Sequence, residues 1–168
     1  SDRLLPMIDE ILKQNHLKIQ DVNHIVVNIG PGSFTGIRVG VVVARTIAQL
    51  LNIKISGCCG LDVFMFQYLK NNPNNDKKIL VLMDALRSEY FTSIYNKDGK
   101  KETDYQILKK ENIDFRDKIL VEAGDELGVD LIKFSEFAKI KPQDYQDLKP
   151  IYIRKTSAEE RVKIPLQT

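Results

Sequence analysis

Ile25-Val26-Val27-Asn28-Ile29-Gly30-Pro31-Gly32-Ser33-Phe34-Thr35-Gly36-Ile37-Arg38-Val39-Gly40 is the stretch that decides how this chain folds. Residues 25–29 are apolar and mostly β-branched, which predicts a buried strand. Gly30 to Gly36 interrupts regular structure, and the apolar run from Ile37 to Leu51 predicts a helix. Such a strand–glycine loop–helix unit aims backbone N–H groups and a positive helix end at one spot, which suits an anion. Two familiar phosphate motifs do not fit. A Walker loop ends in Gly-Lys-Ser/Thr, whereas Gly36 is followed by Ile37 and Arg38. The dinucleotide fingerprint Gly-x-Gly-x-x-Gly would need its third glycine one place earlier than Gly36. The plainer reading is a tight turn built on Gly30 and Gly32, with Ser33 or Thr35 capping the helix.

The helix carries a second pattern. Gly36, Gly40, Ala44 and Ala48 recur every four residues and make one smooth face. Each glycine costs a helix about 1 kcal/mol relative to alanine, so close packing is expected in return. The packing partner is either the protein's own sheet or a helix of another subunit. Upstream, Leu4, Leu5, Ile8, Ile11 and Leu12 recur at helical spacing among Asp9, Glu10 and Lys13, an amphipathic helix whose stripe extends that surface. Pro6 is tolerated if this helix starts near Ser1 or Asp2.

Downstream, Ile53 to Ser56 predicts a strand and Leu61 to Leu69 a helix. Asn71-Asn72-Pro73-Asn74-Asn75-Asp76 predicts a loop, and the lobe boundary is placed there: residues 1–77 and 78–168. Ile79 to Met83, Glu89 to Tyr95 and Ile119 to Val121 predict strands, with a hairpin-like turn at Asn96-Lys97-Asp98-Gly99. Leu131 to Ala138 predicts a helix, followed by a proline-flanked tail. Strands alternating with helices make the class α/β.

Composition narrows the function. With 43% hydrophobic residues the chain can build a core. A formal net charge of +2 argues against a dedicated nucleic-acid binder, which concentrates basic charge. The adjacent Cys58 and Cys59 are unsuited to a structural disulfide, so a reducing cytoplasm is expected. No signal peptide is visible, and no apolar run looks long enough to span a bilayer. His16 and His24 are the only histidines, with no metal-ligand spacing, so no metal site is expected. Ser33 has no histidine nearby in sequence to act as its base. Cys58-Cys59 reads as core, and Asp84 with Glu89 as a turn or ion pair rather than an acid/base couple.

The segment Gly30 to Gly40 closely resembles the signature of the TsaB (YeaZ) family. Leu4-Leu5-Pro6-Met7-Ile8 resembles the family's first helix. Asp84-Ala85 with Glu89 resembles its Asp-Ala-Arg-x-Gly-Glu strand turn, and Pro150-Ile151-Tyr152-Ile153-Arg154 its carboxy-terminal Tyr-Leu-Arg segment. The departures are specific. The family's opening strand and hairpin are expected to be missing before Ser1. Leu86 and Ser88 stand where the family has Arg and Gly, and the passage around Asp125 reads as compressed.

The resemblance implies an actin-like ATPase, ribonuclease H-like fold in two lobes, with no cofactor and no catalytic residue. It implies a scaffold subunit of the bacterial complex that forms threonylcarbamoyladenosine next to the tRNA anticodon. Its partners would be a TsaD-like catalytic subunit and a TsaE-like ATPase, with a homodimer when alone and tRNA met only through the complex. The expected partner surface is Leu4, Leu5, Ile8, Leu12, Gly36, Gly40 and Ala44, beside the glycine loop Gly30, Gly32, Ser33 and Thr35. The competing readings are a small actin-fold ATPase or kinase-like enzyme that uses the glycine loop for phosphate, and a glycoprotease-like peptidase.

Overall fold

The computed structural model describes residues 3–124 and 128–153. The readings that rest on Ser1, Asp125 and Arg154 therefore lie outside the described residues. The chain begins with helix α1 (Leu4–Gln14), followed by strand β1 (His24–Gly30), helix α2 (Phe34–Leu51) and strand β2 (Lys54–Cys59). β1 and β2 run parallel, from His24 opposite Lys54 to Gly30 opposite Cys59. Parallel strands need a long crossover, and the apolar α2 supplies it. Ser33 caps α2, its Oγ accepting the Gly36 N–H at 3.4 Å. The helix stops at Asn52, which adopts the left-handed conformation that asparagine tolerates. Val41, Ala44 and Ala48 of α2 pack on Ile55 of β2, with Ile25, Val27 and Ile29 of β1 alongside.

Helix α3 (Gly60–Asn71) leads to a second sheet. It holds strands β3 (Lys78–Asp84), β4 (Glu89–Tyr95), β5 (Gln106–Lys109) and β6 (Lys118–Glu122) in the order β5-β4-β3-β6. β4 is antiparallel to β3 and β5, whereas β6 is parallel to β3. Alternation along β4 divides its side chains between two faces. Phe91 and Tyr95 join Leu61, Phe64 and Met65 of α3 in the main core, with Phe134 of helix α4 (Gly128–Phe137). Tyr90 and Ile94 turn to the other face, against Leu80, Leu82 and Ile113. The architecture is thus mixed α/β.

Two expectations are revised here. The boundary expected after residue 77 falls between the sheets, but the chain crosses back afterwards. Gln143 exchanges both backbone hydrogen bonds with Ile55, at 2.9 and 3.1 Å, and the Ile151 N–H donates to Ile29 O at 2.7 Å. Leu148 is 0% exposed within the first sheet's core. The carboxy-terminal segment is therefore part of the first layer. Second, α2 has 18 residues and a mean hydropathy of 1.4, long and apolar enough to cross a membrane by length and composition. Its apolarity has another physical use in this fold, because one face covers the parallel pair β1–β2.

Candidate functional site

The glycine loop is shaped by backbone demands. Gly30 has φ 123°, and a Cβ there would lie 2.9 Å from the Ile151 carbonyl oxygen. Any side chain would be strained and would push the returning segment off β1. Asn28 Oδ1 accepts the Gly30 N–H at 2.9 Å, and the Gly30–Pro31 peptide bond is cis. Gly36 is under no such demand: a Cβ there would meet only Ser33, at 3.5 Å. Ser33 and Thr35 are both exposed, Ser33 at the cap and Thr35 in the first turn of α2. The nearest cation in sequence, Arg38, is engaged elsewhere. Its guanidinium lies 4.5 Å from the Phe34 ring centroid, and its Nε donates to the Tyr152 hydroxyl at 3.2 Å.

The predicted partner surface divides. No residue of α1 is buried, although its apolar stripe is regular. Leu5 and Ile11 are each 57% exposed, with Met7 also exposed and Leu4, Ile8 and Leu12 half-buried. On α2, a Cβ at Gly40 would meet nothing within 4 Å. Ala44 is a correction: with Ala48 it is buried in the protein's own core, because the small face turns onto β2 as the helix advances. The open part of the face is thus Gly36 and Gly40, with Val42 and Leu50 also exposed on the same helix.

His24 Nε2 lies 3.0 Å from Ser56 Oγ, a pair that sequence spacing did not suggest. Ser56 is fully buried, so its hydroxyl is closed to a substrate. Among the described residues, no three His, Cys, Asp or Glu side chains converge as metal ligands. Asp84 Oδ1 accepts the Leu86 N–H at 2.8 Å, an ordinary turn bond.

Cys58 and Cys59 are free thiols inside the main core. Burial, aided by the nearby Asp62 carboxylate, pushes both up to about 11. Asp62 accepts the Tyr95 and Tyr105 hydroxyls at 2.6 Å each. Burial raises both phenols, and charge from Asp62 and Cys59 raises them further. All four groups are held neutral by the fold. The contribution of the two thiols to stability is whole below their ordinary value of 9.0 and is lost as pH rises through about 11. The melting temperature should accordingly fall between pH 9 and 11. Iodoacetamide should leave native thiols unlabelled at neutral pH and label both in denaturant. Rapid native labelling would place a thiol outside the core.

The chain matches a family model described as "TsaD: tRNA N6-adenosine threonylcarbamoyltransferase" over residues 1–146. It is 34% identical over 114 residues to the tRNA threonylcarbamoyladenosine biosynthesis protein TsaB of Bacillus subtilis (strain 168), spanning 67% of this chain and 47% of that protein. The TsaB of Escherichia coli (strain K12) is 29% identical over 98 residues, 58% of this chain and 42% of that protein. The chain thus spans somewhat less than half the length of these curated relatives. A solved structure described as similar to peptidase YEAZ from Pseudomonas aeruginosa matches with a TM-score of 0.76, over 92% of this chain and 84% of that one. At 19% identity that likeness establishes a shared fold. The chain belongs to the family that the TsaD model describes and, within it, to the TsaB (YeaZ) proteins of tRNA threonylcarbamoyladenosine biosynthesis.

Proposed function

We propose that this chain is a non-catalytic scaffold in the cytoplasmic formation of threonylcarbamoyladenosine on tRNA. It binds and activates a TsaD-like catalytic subunit, helps recruit a TsaE-like ATPase, and pairs with a second copy when alone. The fold is read as actin-like, with two lobes. One observation carries the proposal: an amphipathic helix without a single buried residue, α1, in a chain whose α2 keeps open space at Gly40. Apolar side chains at Leu5, Met7 and Ile11 stay in water unless another surface covers them. The surface for that role is Leu4, Leu5, Ile8 and Leu12 with Gly36 and Gly40.

The test is co-purification of this chain with a TsaD-like subunit, with and without nucleotide. Stable capture is expected, and its absence in both conditions would remove the scaffold reading. The isolated chain is expected to show no steady ATP turnover, because the loop lacks the lysine of a phosphate motif: Gly36 is followed by Ile37 and Arg38. Hydrolysis that survives repurification and disappears on Gly32→Ala would favour the enzyme reading instead.

A further inference from the structure

We propose that Phe34, Arg38 and Tyr152 form a stacking platform for an unpaired base of a single-stranded RNA segment. The proposal rests on the tRNA-modification reading above, and it departs from the expectation that RNA is met only through the complex. Phe34 and Tyr152 are far apart in sequence and meet with ring centroids 5.6 Å apart. Both stay about half exposed, at 49% and 50%. Water is a poor environment for two aromatic rings, yet the fold fixes them at the surface. Arg38 locks the arrangement, lying 4.5 Å from the Phe34 centroid and donating its Nε to the Tyr152 hydroxyl. Arg38 is an exposed residue, and among the described residues no carboxylate pairs with it. The donors on its terminal nitrogens are left for a ligand.

Charge selects the kind of ligand. From Val22 to Leu61 the sequence has no Asp or Glu, while Arg38 and Arg45 are present; the third cation, Lys54, is paired with Asp144. The residues that carry Phe34 and Arg38 therefore lie in a stretch of sequence with cations and no carboxylate, within an otherwise nearly balanced chain. Aromatic faces backed by arginine are how proteins hold unpaired bases, with the cation serving the adjoining phosphate. A duplex keeps its bases stacked inside and offers only phosphates. The site should thus prefer single strands, and with a net charge of +2 it should bind weakly.

The probe is a short fluorescent oligoadenylate, compared with an RNA duplex of equal length by anisotropy at low ionic strength. The expected result is weak binding of the single strand in preference to the duplex. Phe34→Ala should weaken it about tenfold or more, since stacking on an aromatic is the main contact. Arg38→Lys keeps the charge but not the planar stack, so it should weaken binding too. Tyr152→Phe keeps the ring but removes the hydroxyl that holds Arg38, so it should weaken binding less than Phe34→Ala. Unchanged melting temperatures separate these effects from misfolding. Equal affinity for duplex and single strand, or full binding by Arg38→Lys, would mean charge alone and overturn the platform. A Phe34→Ala change in self-association with no change in RNA binding would make the patch a protein contact, also overturning it. Should the chain capture its TsaD-like partner yet ignore the oligonucleotide, the platform falls and the scaffold reading stands.

Discussion

Leu148→Ala should lower stability by about 2–5 kcal/mol, the cost of deleting a fully buried leucine and leaving a cavity. In a chain of this length that is a fall of about 5–20 °C in melting temperature. Leu148 lies on the segment that returns after α4, and it closes the core between α2 and the β1–β2 pair. Its seat is made by Gly57, where a Cβ would stand 2.8 Å from Leu148 Cδ1 and 2.7 Å from Ile29 Cγ2. A glycine in a strand lets another backbone or side chain come close. Gly57→Ala should therefore destabilise by overpacking, about 1–3 kcal/mol. The two changes share a contact, so they should not add: Gly57→Ala should cost less in the Leu148→Ala background. Thermal melts of the two single variants and the double variant measure this. A Leu148→Ala protein that melts like the parent would show that the returning segment is dispensable to the first sheet.

That segment also shows where sequence reading stops. β1 and β4 were legible because their apolar alternation or continuity is local, and Glu89 to Tyr95 matches the observed strand end to end. The start of α2 was legible in part. Ser33 was a named capping candidate, but the helix begins three residues before the expected Ile37 because Phe34, Thr35 and Gly36 already fill its first turn. β5 was missed, since four residues with two half-buried side chains carry little pattern. The turn between Asp84 and Glu89 was legible, but the backbone conformation of Leu86, Arg87 and Ser88 was not. All three adopt positive φ, at 64°, 55° and 59°, where sequence preference would place glycine or asparagine. Hydrogen bonds from Ala85 N–H to Glu89 O and from Leu86 N–H to Asp84 hold that turn closed. Contacts between distant residues leave no local signal at all. The Phe34–Tyr152 and Arg38–Tyr152 contacts, the His24–Ser56 pair and the seating of Leu148 on Gly57 are of this kind.

The small-residue face of α2 was legible as a pattern, but its two uses were not separable until the helix was seen against its sheet. Gly40→Leu turns that separation into a measurement. Open space surrounds a Cβ at Gly40, so leucine there should fit the isolated chain. It also replaces a glycine within a helix, which should leave stability unchanged or raise it by up to about 1 kcal/mol. A partner helix packed close against Gly36 and Gly40 would meet a branched side chain where its backbone should pass. Helices approach to about 8 Å only where contact residues are small. The expected loss of TsaD-like partner capture is that of a central interface residue, about 2–4 kcal/mol or some thirty- to a thousandfold. Leu5→Asp probes the same surface from α1, placing a charge that a packed interface would have to desolvate. Leu5 is exposed in the single chain, so this variant should also remain folded. Light scattering and co-purification on the same samples give the reading, with melts taken at matched concentration because loss of a dimer lowers apparent stability by mass action. Retained self-association and retained capture in both variants would put the partner elsewhere on the molecule. A Gly40→Leu chain that melts far earlier as a monomer would instead assign that position, like Ala44, to the protein's own packing.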